Sequence, residues 1–236
     1  MILTRDETFK VVCNLRTAVA PNQHSVGTGM FVVRGGVDPF LVTATHVAVS
    51  CNQATQLVLS DASGNATPLR LLDFNTNLAW QHHPVADISI LPIVPTPVIA
   101  QHLQGRFLGY DHFHLDHTPV SRDFELTSVG FPNGLGAQGM FSPLTYRSYA
   151  SSAFITFNRA DTQTPSEFFL LENPSVGGYS GCPVFDLGYM IVGAMTTAKE
   201  KTVCYGIMHG TVSDATGGKL AAVTPAYYLR DLLGNG

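Results

Sequence analysis

Charge is scarce in this chain: only 13% of its 236 residues are Asp, Glu, Lys or Arg, and the net charge is −4. No run of Lys and Arg occurs, so neither nucleic acid nor an anionic membrane is expected as a partner, and the composition argues against disorder and coiled coils. Long apolar runs are missing too, none approaching the roughly 18 residues of a membrane span. The first apolar run ends after three residues, with Arg5, Asp6, Glu7 and Lys10 following, so it is no signal-peptide apolar region, and a cytoplasmic location is expected. Cysteine is sparse as well. Cys13, Cys51, Cys182 and Cys204 are spaced neither as zinc ligands nor as a disulfide framework, and they read as free, mostly buried thiols of a reducing compartment.

Glycine (22) and proline (14), by contrast, are plentiful, which suits many short strands joined by turns. Runs of β type recur at Phe9–Leu15, Gly29–Val33, Phe40–Thr43, Gln56–Leu59, Ile88–Ile93, Phe124–Val129, Phe154–Phe157, Phe168–Leu171, Tyr189–Met195 and Val203–Met208. Such spacing predicts an all-β sandwich or barrel, with a hairpin turn at Gly35-Gly36. Three prolines between Pro92 and Pro97 make Pro92–Ala100 a candidate linker between two halves. One helix is expected, at the C-terminus: Thr224 as N-cap, Pro225 at its first position, an apolar stripe of Leu229, Leu232 and Leu233, and Gly234 to end it.

Ser180 stands in GYSGCP, among Gly177, Gly178 and Gly181. A serine hydroxyl is a weak nucleophile, so it needs an adjacent base and donors for the oxyanion it creates. Glycines before the serine let the backbone N–H groups of Gly178 and Ser180 point at one spot. By itself GxSG also suits an ordinary turn, but two other segments supply what a nucleophile lacks. His46 ends an apolar run in LVTATHVA, and Asp87 opens another in ADISILPI. A carboxylate entering a buried strand costs several kcal/mol unless it is paired, so Asp87 calls for a partner such as the His46 N–H. The chain order His, Asp, Ser is that of chymotrypsin-type proteases rather than of α/β-hydrolases.

These segments, with SVGTGMFVV, GFPNGL, FLLENPSVGGYSGCPVF, YMIVGAMTTA and LAAVTPAYYLRDLL, resemble in order the bacterial trypsin-like serine peptidases of the chymotrypsin superfamily, and the high-temperature-requirement protease domain in particular. The resemblance implies one peptidase domain over 1–236, built as two six-stranded antiparallel β-barrels (1–97, and 98–236 with the C-terminal helix). It further implies a polypeptide substrate, no cofactor, and a triad in which His46 is base then acid, Asp87 its orienter and Ser180 the nucleophile. By the same alignment Thr196 supports Asp87, and Thr196, Thr197 and Ala198 form the edge that pairs with an extended peptide. Pro174 aligns with the floor of the specificity pocket, Ser175 lies beside it, and Met195 and Ala198 contribute to its walls. No carboxylate sits at that floor, and Met195 stands where glutamate-specific relatives carry histidine, so a small or medium apolar residue is expected before the scissile bond.

Two departures matter. Tyr179 replaces the acidic residue that pairs with a freshly cut N-terminus in secreted digestive members, so activation by such cleavage is not expected. Cys182 replaces a glycine next to the oxyanion site. His112, His114 and His117 are too loosely spaced to predict a metal site, and His82 and His83 read as structural. Gly134 and Gly136 follow a proline turn without the Lys or helix of a nucleotide loop. The competing readings are a protease-fold module that binds peptides or a partner with little turnover, and an esterase or small-amide hydrolase; any regulatory partner is unidentified.

Overall fold

The computed structural model describes residues 1–21, 23–94, 96–192 and 195–234. Two sheets carry the fold. The first runs in the order Ala66–Arg70, Gln56–Ser60, Val12–Ala20, Gln23–Arg34, Asp38–Thr43, Ser89–Pro92 and Gln81–His82, all antiparallel. Leu108–Gly109 adds a short parallel pairing to Gln23–Arg34. The second runs Leu144–Tyr149, Glu125–Gly130, Pro183–Asp186, Val203–Ser213, Lys219–Pro225, Pro165–Leu171 and Ile155–Asn158. A bridge between Ala150 and Leu171 draws its ends together. The first sheet has six strands of four or more residues plus two of two residues, and the second has seven of four or more where six were expected; together they form a chymotrypsin-like pair of β-barrels.

Alternation along the strands explains why both faces are buried. In Gln23–Arg34, Phe31 enters a cluster inside the first barrel with Leu15, Leu41, Leu57 and Phe74. Its neighbours Met30 and Val32 point the other way, into a cluster that also holds Val129, Phe185 and Ile207 of the second sheet. Met208, Val184, Leu126 and Phe169 fill the second barrel. Successive residues serve opposite faces because the strand period is two. At about 1.5–3 kcal/mol for each fully buried large side chain, this shared layer holds the halves together.

Every apolar run noted above overlaps a strand, and Gly35 and Gly36 both take positive φ in a tight turn, with the Val37 N–H donating to the Arg34 carbonyl. Helices differ more. Thr224 and Pro225 lie in the strand Lys219–Pro225, where Thr224 is opposite Ile207, so neither begins the C-terminal helix. A 3-10 turn at Ala226–Tyr228 precedes an α-helix at Leu229–Leu233, which ends at Gly234 with φ +74°. The proline-rich stretch contributes a helix of its own, Pro97–Leu103, capped by the Thr96 hydroxyl on the Ile99 N–H. No helix of the described residues is long and apolar enough to cross a membrane.

Candidate active site

His46 lies in the short helix Thr45–Ala48, immediately beyond the strand Asp38–Thr43. Gly27 makes room for that helix, since a Cβ there would press on Val47. Asp87 is delivered by a turn organised around His83. The buried His83 ring accepts the Val85 and Ala86 N–H groups at Nδ1 (3.2 and 2.9 Å) and reaches Asp231 through Nε2 at 3.1 Å. His82 Nδ1 is 2.7 Å from the Ser89 hydroxyl, which in turn meets Thr45 at 2.9 Å. Both histidines are therefore structural supports of the segments that present Asp87 and His46.

The Asp87 side chain is fully buried and surrounded by donors. The His46 N–H donates to Oδ1 at 3.0 Å, and His46 Nδ1 lies 2.7 Å from Oδ2. His209 Nδ1 meets the same Oδ2 at 2.5 Å, and Arg159 donates to Oδ1 at 3.2 Å. Burial opposes ionisation, but the hydrogen bonds and charges of His209 and His46 overcome it and hold Asp87 well below the ordinary carboxylate range. His46 moves the opposite way: burial works against its charged form, yet the Asp87 hydrogen bond and charge outweigh it and raise the imidazole. The His46, Asp87 and His209 ligand atoms lie within 4.8 Å of one another. With the Nδ1 of each ring at hydrogen-bond distance from the carboxylate and a guanidinium on the same group, the cluster suits shared protons rather than a divalent cation.

Ser180 sits in a turn fixed by its main chain. Its carbonyl accepts the Thr28 N–H (2.8 Å), Gly181 N–H donates to the Met208 carbonyl (2.8 Å), and Met208 N–H returns to the Cys182 carbonyl (2.9 Å). Gly178 and Gly181 have φ of +93° and +85°, and a Cβ would drive them into the Phe131 and Thr28 carbonyl oxygens. Thr28 fixes the next peptide by donating its hydroxyl to the Gly178 carbonyl at 2.8 Å. Among the described residues neither the Gly178 nor the Ser180 N–H has an acceptor. The Ser180 hydroxyl donates to the His209 carbonyl at 3.2 Å. The His209 ring stands edge-on to that of His46, 5.6 Å between centroids.

Tyr179 is buried and its hydroxyl donates to the Leu144 carbonyl at 3.3 Å. Cys182 is also buried, and burial lifts its thiol far above the usual range. All four cysteines are free. Of the residues expected beside the substrate, Pro174 and Ser175 lie just before the Ser180 turn, and the Thr211 hydroxyl donates to the Ser175 carbonyl at 2.8 Å. Met195–Ala198 pairs instead with Tyr189–Val192 in a separate hairpin. Thr197 and Ala198 line a cavity of about 380 Å3 with Phe124, Tyr149 and Tyr189, and Met195 is exposed. The Thr196 side chain lies outside the described residues. The strand beside Ser180 is Val203–Ser213, and the groups that reach Asp87 from the second sheet are His209 and Arg159. Neither these two nor Thr28 carried a sequence signal, because each acts on a partner far along the chain. His112, His114 and His117 disperse to Thr202, Thr118 and Glu167.

The family model of the trypsin-like peptidase domain matches residues 27–193. No curated protein matches the chain. Among solved structures, the active form of the Rv3671c protease from M. tuberculosis is similar over 97% of this chain and 81% of its own, at 17% identity and a TM-score of 0.63. Human heparin binding protein is similar over 99% and 96%, at 12% identity and 0.58. The thermostable serine protease AL20 from an extremophilic microorganism is similar over 97% and 100%, at 12% identity and 0.52. With the family model covering most of the sequence and the two-barrel fold common to these structures, the chain belongs to the trypsin-like peptidase family and is a serine peptidase of the chymotrypsin fold.

Proposed function

We propose that the protein is an endopeptidase that cleaves peptide bonds through an acyl-enzyme on Ser180. The observation that carries this reading is the buried Asp87 carboxylate on His46 Nδ1, in a site where the Ser180 turn leaves the Gly178 and Ser180 N–H groups unpaired. Asp87 fixes the His46 tautomer with its proton on Nδ1, leaving Nε2 to take the Ser180 proton as the hydroxyl attacks the scissile carbonyl. The developing oxyanion is held by Gly178 and Ser180 N–H. His46 then gives its proton to the leaving amine, and water repeats the sequence to release the acyl group. In the free enzyme the hydroxyl rests on the His209 carbonyl; a bound peptide competes for that carbonyl and frees the hydroxyl to turn toward His46.

We place the peptide-pairing edge at His209, Gly210 and Thr211, rather than at Thr196 to Ala198. Those three follow the residue that pairs with the nucleophile turn, and the strand is exposed from Thr211 onward. The Thr211 to Ser175 hydrogen bond crosses the space between this strand and the segment before Ser180. A small or medium apolar side chain before the scissile bond is part of the proposal, supported by the lack of a carboxylate at Pro174 and Ser175. A peptide library incubated with wild type and with Ser180→Ala tests the whole reading. Cleavage by wild type alone, after small apolar residues, is the expected result. Saturable peptide binding without cleavage, equal in both proteins, is the result expected of a binding module.

A further inference from the structure

The cavity of about 380 Å3 lies between the root of the hairpin Tyr189–Ala198 and the paired residues Glu125 and Tyr149 of the second sheet. Ligand pockets run from about 300 to 1,000 Å3, so it is large enough for a side chain and its neighbours. It is not part of the catalytic cleft. Gly130, at one end of the strand Glu125–Gly130, packs on the nucleophile turn, where a Cβ would touch Cys182 and Tyr179. Glu125 is at the other end of that strand, about 17 Å away at the usual rise per residue. Phe124, Tyr149 and Tyr189 give the cavity aromatic surface, and Asp123, Glu125 and Asp186 bring three carboxylates against one ammonium, that of Lys199. Arg147 and Arg5 stand 3.4 and 3.9 Å from Glu125. The Asp186 side chain is only 9% exposed; it accepts the Gly188 N–H at 2.9 Å and pairs with Lys199 Nζ. The same Nζ lies 3.4 Å from the centroid of the Phe124 ring. Asp123 has no ion pair among the described residues.

We propose that this cavity is a binding site for an arginine side chain of a polypeptide, and that Lys199 occupies the cation's place until the arginine arrives. A buried carboxylate requires a counter-ion, and a cation over an aromatic face is attracted by the ring. Lys199 meets both demands on Asp186 and Phe124, but its side chain is 48% exposed. An ion pair made by a half-hydrated lysine is weak, so the ammonium is readily exchanged. A guanidinium serves the same spot better. It is planar, forks onto a carboxylate, stacks on aromatic rings and is less strongly hydrated than an ammonium. With Arg147 and Arg5 on Glu125, the unpaired Asp123 leaves the rim one cation short, and an incoming positive charge is drawn in. The arginine can belong to a substrate, outside the residues held in the cleft, or to a separate polypeptide; the chemistry is the same. The site itself does not depend on the role of Ser180.

The probe is a fluorescein-labelled alanine pentapeptide with arginine at its centre, and the control carries citrulline, the neutral isostere, in the same place. Binding is read as fluorescence anisotropy on Ser180→Ala, which leaves the probe uncut. Saturable binding of the arginine peptide, about tenfold tighter than the citrulline peptide, is expected. Added to Ser180→Ala, Lys199→Met vacates the cation's place and tightens arginine binding by about threefold or more, while Asp186→Asn and Phe124→Leu each weaken it by about tenfold. Equal binding of the two peptides overturns the proposal, as does arginine binding that neither Lys199→Met nor Phe124→Leu changes. If Asp186→Asn does not fold, those two variants decide. A second arm uses longer peptides that wild type cuts, with arginine or citrulline about six residues to either side of the scissile bond, the reach of an extended chain to the cavity. A KM lowered by arginine in wild type but not in Phe124→Leu, with kcat unchanged, assigns the arginine to the substrate; equal KM values assign it to a separate polypeptide. If wild type cuts no peptide, the peptidase reading fails, and the anisotropy result still decides for or against the site.

Discussion

Around Ser180 most of the contacts that set the geometry are made by main chain, whereas around Asp87 all but one are made by side chains. The nucleophile turn needs glycine at Gly178 and Gly181 and otherwise tolerates change, as Tyr179 and Cys182 show by replacing familiar residues inside a preserved turn. The Asp87 socket is the opposite. It depends on His46, His209 and Arg159, three residues from separate segments that converge on one carboxylate. On the proposed mechanism, an oxyanion site built from backbone is robust to side-chain drift, while a side-chain socket would tie catalysis to the packing of both barrels.

The largest effect that can break this comparison is Asp87→Asn. The amide cannot accept from every donor and favours the wrong His46 tautomer, so kcat should fall about 10^4-fold with the fold retained; peptide cleavage under saturating substrate measures it. Next comes Gly178→Ala. Its Cβ would meet the Phe131 carbonyl at a φ of +93°, displacing one oxyanion donor, so kcat should fall about 10^2 to 10^3-fold while KM changes little. If instead Tyr179→Phe did comparable damage, the claim that main chain dominates the shaping of the turn would be wrong. That variant loses a single hydrogen bond to the Leu144 carbonyl and should cost about 1 kcal/mol in urea unfolding.

pH separates the two regions further. Activity should climb roughly tenfold per unit below the His46 pKa and level off above it, because only the neutral ring accepts the Ser180 proton. The midpoint lies above the ordinary imidazole value, since His46 is raised by Asp87. Stability follows the same groups. Asp87, depressed in the folded state, contributes stability that is present above its ordinary value of about 3.9 and lost as pH falls toward the folded value. His46, raised, contributes stability present below about 6.5 and lost as pH rises through its folded value. Urea midpoints should therefore drop more steeply between pH 5 and pH 2 in wild type than in Asp87→Asn. The smallest effect concerns Thr211→Ala, which removes the bridge to Ser175. It should raise kcat/KM for a leucine relative to an alanine before the scissile bond by about tenfold, the scale of one or two methylenes.

Much of this was legible along the chain, and what was not shares a physical cause. Phe31 and its neighbours announced a strand because alternation is local. His46, Asp87 and Ser180 announced a site because each sits at the edge of an apolar or glycine-rich run. Leu144–Tyr149 was hidden by its polar LTYRSY pattern, and Pro183–Asp186 by the turn that runs straight into it. Thr224 and Pro225 carry the local chemistry of a helix start, but pairing with Gly206 and Ile207 keeps them in a strand. The resemblance pointed to Thr196 as the support of Asp87, whereas Met195–Ala198 pairs with Tyr189–Val192. His209 and Arg159 lie 122 and 72 residues from Asp87, and only the folded sheets bring them together.

The central claim is that Ser180 is the nucleophile, and it is tested most directly by intact-mass analysis after fluorophosphonate treatment, with the adduct located by peptide mapping. One adduct on Ser180 in wild type and none in Ser180→Ala is the predicted result. A folded wild-type protein that takes up no adduct, or an adduct that persists in Ser180→Ala, would contradict the account.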